Sequence, residues 1–234
     1  MRWKTSISKV KEGEVYVRGK KLLELVGKVS FTEALYLVIK GETPKKEQVH
    51  LLDAVLVSAI NHGLEAPTGY VPRIAASVGN SVSSALAAGV LMVGDYHGGA
   101  VEGAMRKFYS NKPAEEIVKE VVAKKERMPG YGHKLYKSTD PRAQKILELI
   151  PESKYTKLAV EIQKELKKQT GKDLPLNIDG AMAAALCELG FDSIQGKAFF
   201  ALARLPSMMA NIEEELKNEK PYRRLDNEDI EYSN

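Results

Sequence analysis

After residue 18 the sequence is a succession of segments whose apolar residues recur every three or four positions, the spacing of a buried helix face. One such segment begins at Pro113 and places Ile117, Val118, Val121 and Val122 on a single face. No internal repeat and no Ser/Gly linker interrupts the series. The sequence therefore predicts a mainly α protein with a large helical core.

The N-terminal segment departs from this helical pattern. Residues 5–18 place apolar residues on both sides of a turn at Glu12 and Gly13, which predicts a short β-hairpin. A helix is expected to begin after Ser30, because Glu33 stands three residues later and completes a capping box. Residues 81–93 are small and apolar on all sides, so this helix is expected to be buried within the protein or between subunits.

The middle of the chain, residues 110–175, is its most charged part and has the least apolar helices. We expect it to form a smaller helical subdomain. Residues 1–109 and 176–234 are then expected to form the two parts of a large domain, with the last long helix bent near Pro206 and a polar tail extending over a partner.

Composition restricts the partners and the compartment. The net charge of +4 comes with lysines that alternate with glutamates along helical faces, a pattern typical of solvated surface, so nucleic acid is not an expected partner. No apolar run approaches the ~20 residues of a membrane span, and the N-terminus lacks a signal-peptide core. The single cysteine, Cys187, excludes an internal disulfide and favours a reducing compartment, so we expect a cytoplasmic protein.

Histidine beside glycine is the most informative local pattern. The chain has four histidines, and three of them, His62, His97 and His133, lie next to glycine, which lets a ligand approach the backbone closely. Imidazole exchanges protons near neutral pH, so these three are candidates for acid–base chemistry on a small molecule. Asp179, just before Gly180, is either a fourth such group or the cap of the helix that follows.

Two arginines are candidate ligands for an anion. Arg142 follows a Pro-Gly-Tyr-Gly loop with exposed backbone N–H groups, and it is either a surface residue or a bidentate carboxylate ligand. Arg204 is a lone cation in an apolar helix, where a charge without an anion is costly. Its anion is either a substrate carboxylate or a structural Asp or Glu.

In their order along the chain, these short stretches resemble the citrate synthase family. They are residues 61–63 (Asn-His-Gly), 97–102 (His-Gly-Gly-Ala-Val-Glu), 129–133 (Pro-Gly-Tyr-Gly-His), 140–142 (Asp-Pro-Arg) and 177–180 (Asn-Ile-Asp-Gly). The resemblance implies a largely helical citrate-synthase-like fold and an obligate homodimer, or a higher homo-oligomer. It also implies chemistry on acyl-CoA and oxaloacetate, with no cofactor beyond the coenzyme A of the substrate and no metal.

The resemblance implies roles for individual residues. His97 would hydrogen-bond the thioester oxygen, Asp179 would exchange a proton with the acetyl methyl group, and His133 would act at the oxaloacetate carbonyl. The substrate-binding residues would be His62, Arg142, Arg204, Arg223 and Arg224, and one of the last two would reach into the other subunit's site. The CoA-binding residues would be Gly130, Tyr131, Gly132 and Lys137.

A short segment of the chain indicates which members of the family it resembles most. Between Pro44 and Asn61 there is room for one helix, where full-length citrate synthases carry a long run of helices. This compact form resembles stand-alone citryl-CoA lyases and the lyase module of ATP-citrate lyase. The expected reaction is cleavage of citryl-CoA to acetyl-CoA and oxaloacetate, with a citryl-CoA synthetase as a further partner.

Other functions stay open on sequence grounds. A compact citrate or 2-methylcitrate synthase would use the same motifs, because microscopic reversibility leaves the direction undetermined. A non-catalytic acyl-CoA-binding protein would not need His97, His133 and Asp179. A metalloenzyme would use the histidines and Asp179 as ligands, but no pair of them has the i, i+4 spacing of ligands on one helix.

Overall fold

The N-terminal segment forms the predicted hairpin in the computed structural model, which describes residues 2–150 and 153–233. Strands β1 (Ser8–Lys11) and β2 (Glu14–Val17) pair antiparallel, and Glu12 and Gly13 form the turn with φ of 54° and 78°. Positive φ at both turn residues matches the right-handed twist of the two strands. A third strand that was not predicted, β3 (Lys20–Lys21), extends the sheet in the order β1-β2-β3.

Helices make up the rest of the regular structure, which confirms the mainly α prediction. They are α1 Leu22–Leu25, α2 Phe31–Lys40, α3 Lys46–Ser58, α4 Pro67–Ser77, α5 Val82–Leu91, α6 Gly99–Phe108, α7 Ala114–Ala123, α8 Pro141–Leu149, α9 Lys154–Thr170, α10 Ile178–Glu188 and α11 Gly196–Asn218. Two short 3-10 turns, Ser193–Gln195 and Asn227–Asp229, complete the described elements. None of the helices in the described ranges is both long enough and apolar enough to span a bilayer.

The predicted start of α2 is confirmed in atomic detail. Ser30 Oγ accepts a hydrogen bond from the Glu33 backbone N–H at 3.1 Å, and Glu33 Oε2 accepts one from the Ser30 N–H at 2.6 Å. This reciprocal pair satisfies two N–H groups that a helix N-terminus leaves without partners. The helix ends at Gly41, whose left-handed φ of 82° suits a residue without Cβ.

The structure corrects one packing prediction, for α7, and for α5 it leaves burial between subunits as the remaining alternative. Ile117, Val118 and Val121 of α7 are buried as expected, but Val122 is 40% exposed because it lies past the edge of the buried face. Helix α5 is not buried on all sides within this chain. Only Ala85 and Gly89 are buried, and Leu91 is 77% exposed.

The core is centred on α10. Its residues 180–187 are all buried, and half are alanine, so neighbouring helices can approach it closely. Helices α3, α6, α8 and α9 pack around it. The buried cluster therefore includes side chains from all three predicted parts of the chain, and the division at 109/110 and 175/176 stays a prediction.

Candidate active site

The N-terminus of α10 opens on a cleft of about 180 Å³. The cleft is lined by residues from α3, α8, α10, α11 and the connecting loops: Ser58, Ala59, His62, Tyr96, His97, Gly98, His133, Arg142, Asn177, Ile178, Asp179, Phe200 and Arg204. All three residues predicted to be catalytic are in this set. Three of the five residues predicted to bind substrate, His62, Arg142 and Arg204, are there with them.

His97 is held from two sides. Its Nε2 lies 3.1 Å from Oγ1 of Thr68, a buried residue of α4, and its ring meets the ring of Phe200 edge-on at 5.3 Å between centroids. The next residue, Gly98, is the N-cap of α6 with φ of 86°, and a Cβ there would lie 2.4 Å from the Phe200 ring. Burial, with the positive charge of Arg204, lowers the pKa of His97, so its ring is neutral at pH 7.

Asp179 is the second residue of α10 and is not the cap of that helix. The cap is Asn177, whose Oδ1 accepts from the backbone N–H groups of Asp179 (3.0 Å) and Gly180 (3.2 Å). The Asp179 carboxylate is thereby left free for the cleft. Burial raises its pKa above the ordinary value, and the nearby charges of Arg204 and Arg142 oppose this shift without cancelling it.

Backbone contact between two glycines brings His133 to the same place. Gly130 has φ of 82°, and a Cβ on it would lie 2.6 Å from Cα of Gly180. No larger residue fits at this point, so the loop of residues 129–133 packs directly on the first turn of α10. Asn177 fastens the two by donating from its backbone N–H to Gly130 O and from Nδ2 to Gly132 O, both at 2.9 Å.

His133 has an N–H donor facing each of its ring nitrogens. The backbone N–H of Leu135 points to Nδ1 at 3.1 Å, and Nη2 of Arg142 lies 3.2 Å from Nε2. A neutral imidazole accepts at only one nitrogen, so each of its two tautomers satisfies one donor. His62 stands beside it, with 6.5 Å between the ring centroids, and burial and the nearby Arg204 charge lower the pKa of His62.

Arg204 is a buried cation that forms no ion pair with a carboxylate of the described residues. Its guanidinium lies over the Phe200 ring at 4.9 Å, and its Nε makes no hydrogen bond in the described part of the chain. Burial lowers the pKa of Arg204, the sign of an unfavourable environment for its charge. The sequence had left two anions open for Arg204, a substrate carboxylate and a structural Asp or Glu. The second alternative is not seen among the described residues, so a substrate carboxylate remains.

The remaining predicted residues lie outside the cleft. Arg223 donates to the buried carboxylate of Glu215 through Nε (2.7 Å) and Nη2 (2.9 Å), and Arg224 stacks over the Tyr222 ring at 4.8 Å. Lys137 is exposed on the loop that follows His133. The proposed roles of these three residues stay predictions.

A second groove, of about 470 Å³, adjoins the cleft at His133. Apolar side chains of α7 and α9 line it, together with Tyr131 and Gly132 from the predicted CoA-binding loop. Its rim carries the cations Arg127, Lys134 and Lys172, none of which the sequence motifs had indicated as a binding residue.

No group of three or more His, Cys, Asp or Glu side chains within the described ranges is arranged to hold a metal ion.

Known proteins resemble this chain in sequence and in fold. The family described as "Citrate synthase, C-terminal domain" matches residues 40–225. Citrate synthase 2 of Bacillus subtilis is 29% identical over 199 residues, which cover 80% of this chain and 53% of that protein. The chain spans about half the length of the curated relatives it matches.

Solved structures give a closer match in length. Citryl-CoA lyase from Hydrogenobacter thermophilus has a TM-score of 0.93 and 43% identity, covering 99% of this chain and 94% of that one. ATP citrate lyase from Methanothrix soehngenii, in complex with citrate and coenzyme A, has a TM-score of 0.86 at 22% identity, covering 100% of this chain and 42% of that one. The second similarity is one of fold.

Proposed function

The chain belongs to the citrate synthase family, and we propose that it is a citryl-CoA lyase that cleaves citryl-CoA to acetyl-CoA and oxaloacetate. The observation that carries this proposal is the single cleft that contains His97, His133 and Asp179 together with the unpaired guanidinium of Arg204. The similarity to a lyase of nearly the same length supports cleavage as the reaction.

The cations of the cleft suit the oxaloacetate part of the substrate. A buried guanidinium whose Nε lacks an acceptor is satisfied by a carboxylate, which takes parallel hydrogen bonds from the guanidinium fork. Arg204 is such a group, and Arg142 brings a second guanidinium to the cleft, which His62 also lines. They bind the carboxylates in both substrate and product.

The two histidines and the aspartate suit the bond-breaking step. The hydroxyl proton of citryl-CoA passes to Nε2 of His133 as the C–O bond becomes a carbonyl. The electrons of the breaking C–C bond move to the thioester oxygen, where neutral His97 donates a hydrogen bond to the enolate. Asp179 then gives its proton to the carbon that becomes the acetyl methyl group, and its raised pKa favours the protonated form that this step needs.

The groove beside the cleft suits the CoA part. Its cationic rim, Arg127, Lys134 and Lys172, can meet the phosphates of CoA, and its apolar floor can cover the less polar portion of the molecule. Because the groove and the cleft share His133, a CoA chain lying in the groove delivers its thioester to the catalytic residues. Gly130, Tyr131, Gly132 and Lys137 keep their proposed contribution to CoA binding.

A homodimer accounts for two further features of the chain. Helix α5 leaves Leu91 and Val82 exposed, an apolar surface that a second copy would cover. Arg223 is engaged in ion pairs within its own chain, so Arg224 is the tail arginine that we assign to the partner's cleft.

The lone cysteine, Cys187, is buried and free, which fits a reducing, cytoplasmic compartment.

The decisive experiment supplies citryl-CoA to the purified chain and follows the products by mass spectrometry. Acetyl-CoA and oxaloacetate in equal amounts, lost in Asp179→Asn, would support the lyase. The alternative, a compact citrate synthase, is supported by the similarity to citrate synthase 2 and would release citrate and free CoA from acetyl-CoA and oxaloacetate. Binding of citryl-CoA without either reaction would leave the non-catalytic acyl-CoA-binding protein.

A further inference from the structure

Asp140 carries a buried carboxylate with four hydrogen bonds. It is 1% exposed; its Oδ1 accepts from the Arg142 backbone N–H (3.0 Å) and from Nε (3.1 Å). Its Oδ2 accepts from Nη2 of Arg142 (2.8 Å) and from the backbone N–H of Ile178 (3.2 Å). One side chain thus joins the start of α8 to the start of α10.

These contacts fix the direction of the Arg142 guanidinium. Nε and Nη2 are turned toward Asp140, and the same Nη2 lies 3.2 Å from Nε2 of His133. The outer edge of the guanidinium, with Nη1, is left to meet a substrate carboxylate. Because the guanidinium is planar, holding one edge determines where the other edge points.

The hydrogen bond from the Ile178 backbone N–H to Asp140 helps to position the catalytic Asp179. Ile178 precedes Asp179, so a hydrogen bond to its N–H holds the first turn of α10 against the Asp140 carboxylate. Asn177 holds the same turn against the loop that ends at His133. The two side chains, Asp140 and Asn177, together connect the segments that carry His133, Arg142 and Asp179.

An ordinary helix cap does not account for this arrangement. Asp140 does cap α8, but a cap needs one oxygen and one backbone N–H. Burying a carboxylate is costly unless it is fully hydrogen-bonded, and here both oxygens are used, three of the four bonds serving the cleft. Burial alone would raise the pKa of Asp140, but the hydrogen bonds and charge of Arg142 outweigh it and lower the pKa, so the group is an anion at neutral pH.

We propose that Asp140 is a positioning residue of the cleft, which aims Arg142 at a substrate carboxylate and sets the first turn of α10 behind Asp179. This inference rests on the proposed function for the identity of the substrate. Asp140 itself does not touch the reacting atoms; it acts through Arg142 and through the backbone of Ile178.

The test is Asp140→Asn, which keeps the shape but turns one acceptor oxygen into an NH₂ group facing Arg142 or Ile178. We expect kcat/KM for citryl-CoA to fall about 100-fold and the Kd of oxaloacetate to rise about tenfold, the range for lost hydrogen bonds to a charged group. The Kd of CoA should stay within about twofold, because the contacts to the CoA groove are untouched. The matched control is Asp192→Asn, the same change at an N-cap aspartate outside the cleft, where all three constants should stay near wild type.

A double-mutant cycle with Arg142→Lys tests whether Asp140 acts through Arg142. Lysine keeps the charge but has no planar fork, so adding Asp140→Asn should cost at most about threefold more in oxaloacetate affinity. Losses that multiply fully would overturn the proposal. So would equal weakening of CoA and oxaloacetate binding, which is the signature of general damage to the fold.

A crystal structure of Asp140→Asn separates this proposal from the proposed function. We expect the Arg142 guanidinium to turn away from the position it holds beside His133. If the wild type cleaves no citryl-CoA, the reaction assignment fails, and the position of Arg142 in the variant still decides the role of Asp140. An Arg142 side chain in its original place would overturn that role even if the wild type proves to be a lyase.

Discussion

Thr68 Oγ1 lies 3.1 Å from Nε2 of His97, which links a buried residue of α4 to the histidine proposed to stabilise the enolate. A hydroxyl that donates to Nε2 keeps the ring proton on Nδ1, the nitrogen left for the thioester oxygen. The position of the catalytic proton thus depends on a residue 29 positions earlier in the chain.

Thr68→Val is therefore expected to lower kcat by about ten- to 100-fold, because it leaves Nε2 without a partner and lets the ring change tautomer. KM should change little, since no substrate contact is removed. Steady-state kinetics with citryl-CoA measures both constants. Thr68→Ser keeps the hydroxyl and should retain most of the rate; an equal loss in Thr68→Ser and Thr68→Val would assign the effect to packing.

Asp179→Asn is expected to stabilise the protein while it lowers kcat by at least about 100-fold. Burial raises the pKa of Asp179, so its contribution to stability is present at low pH and is lost as the pH rises through the folded-state pKa. Asparagine resembles the protonated form at every pH. The variant should match the wild type in urea unfolding near pH 4 and become the more stable protein toward pH 8.

The contrary result for Asp179 has a specific meaning. A variant less stable than the wild type at pH 8 would indicate that the charges of Arg204 and Arg142 hold Asp179 as an anion, with its pKa below the ordinary value. The aspartate would then enter the reaction as a base, as condensation requires, and the proposed cleavage direction would lose this support.

Arg204→Met tests whether the buried guanidinium serves binding instead of stability. The Kd of oxaloacetate should rise at least about 100-fold, while the free energy of unfolding stays unchanged or rises by about 1 kcal/mol, because an unsatisfied buried charge is removed. Calorimetry and urea unfolding give the two values. Arg73→Met is the matched control: this buried arginine is paired with Glu215 at 2.7 Å, so its loss should destabilise the fold by about 3 kcal/mol.

The two tail arginines are expected to behave differently. Arg223→Gln should lower the melting temperature, because it leaves the buried Glu215 with Arg73 as its remaining cation. Arg224→Gln should leave the melting temperature unchanged and, under the proposed contact to substrate in a partner's cleft, lower kcat/KM about tenfold or more.

Mixed dimers separate a contribution across the interface from one within the chain. If Arg224 serves the partner's cleft, a dimer of one Asp179→Asn subunit and one Arg224→Gln subunit contains one complete site and recovers activity. If it serves its own cleft, both sites are defective, and the activity does not exceed that of the Arg224→Gln homodimer. Arg223→Gln in the same mixture should leave one complete site in either case, so this mixture gives the activity of one intact site per dimer.

Local sequence was sufficient for much of the fold. The capping box of Ser30 and Glu33, the hairpin turn at Glu12 and Gly13, and the buried face of α7 each depend on residues a few positions apart. Local sequence was not sufficient to predict whether a whole helix is buried. The apolar composition of α5 gave no indication of whether its own chain or a second copy would cover Leu91.

The sequence by itself singled out the three histidines beside glycine, Asp179 and Arg142, because each lies in or beside a short glycine-containing motif, and Arg204, because it is a lone cation in an apolar helix. Only the tertiary structure brought in Thr68 and Asp140, left Arg204 without an ion pair to any carboxylate in residues 2–150 and 153–233, and paired Arg223 with Glu215. The physical reason is the distance along the chain over which each kind of interaction acts. Helix and turn formation depend on neighbours within one or two turns, whereas hydrogen bonds between distant segments exist only after packing around α10 has set the distances between them.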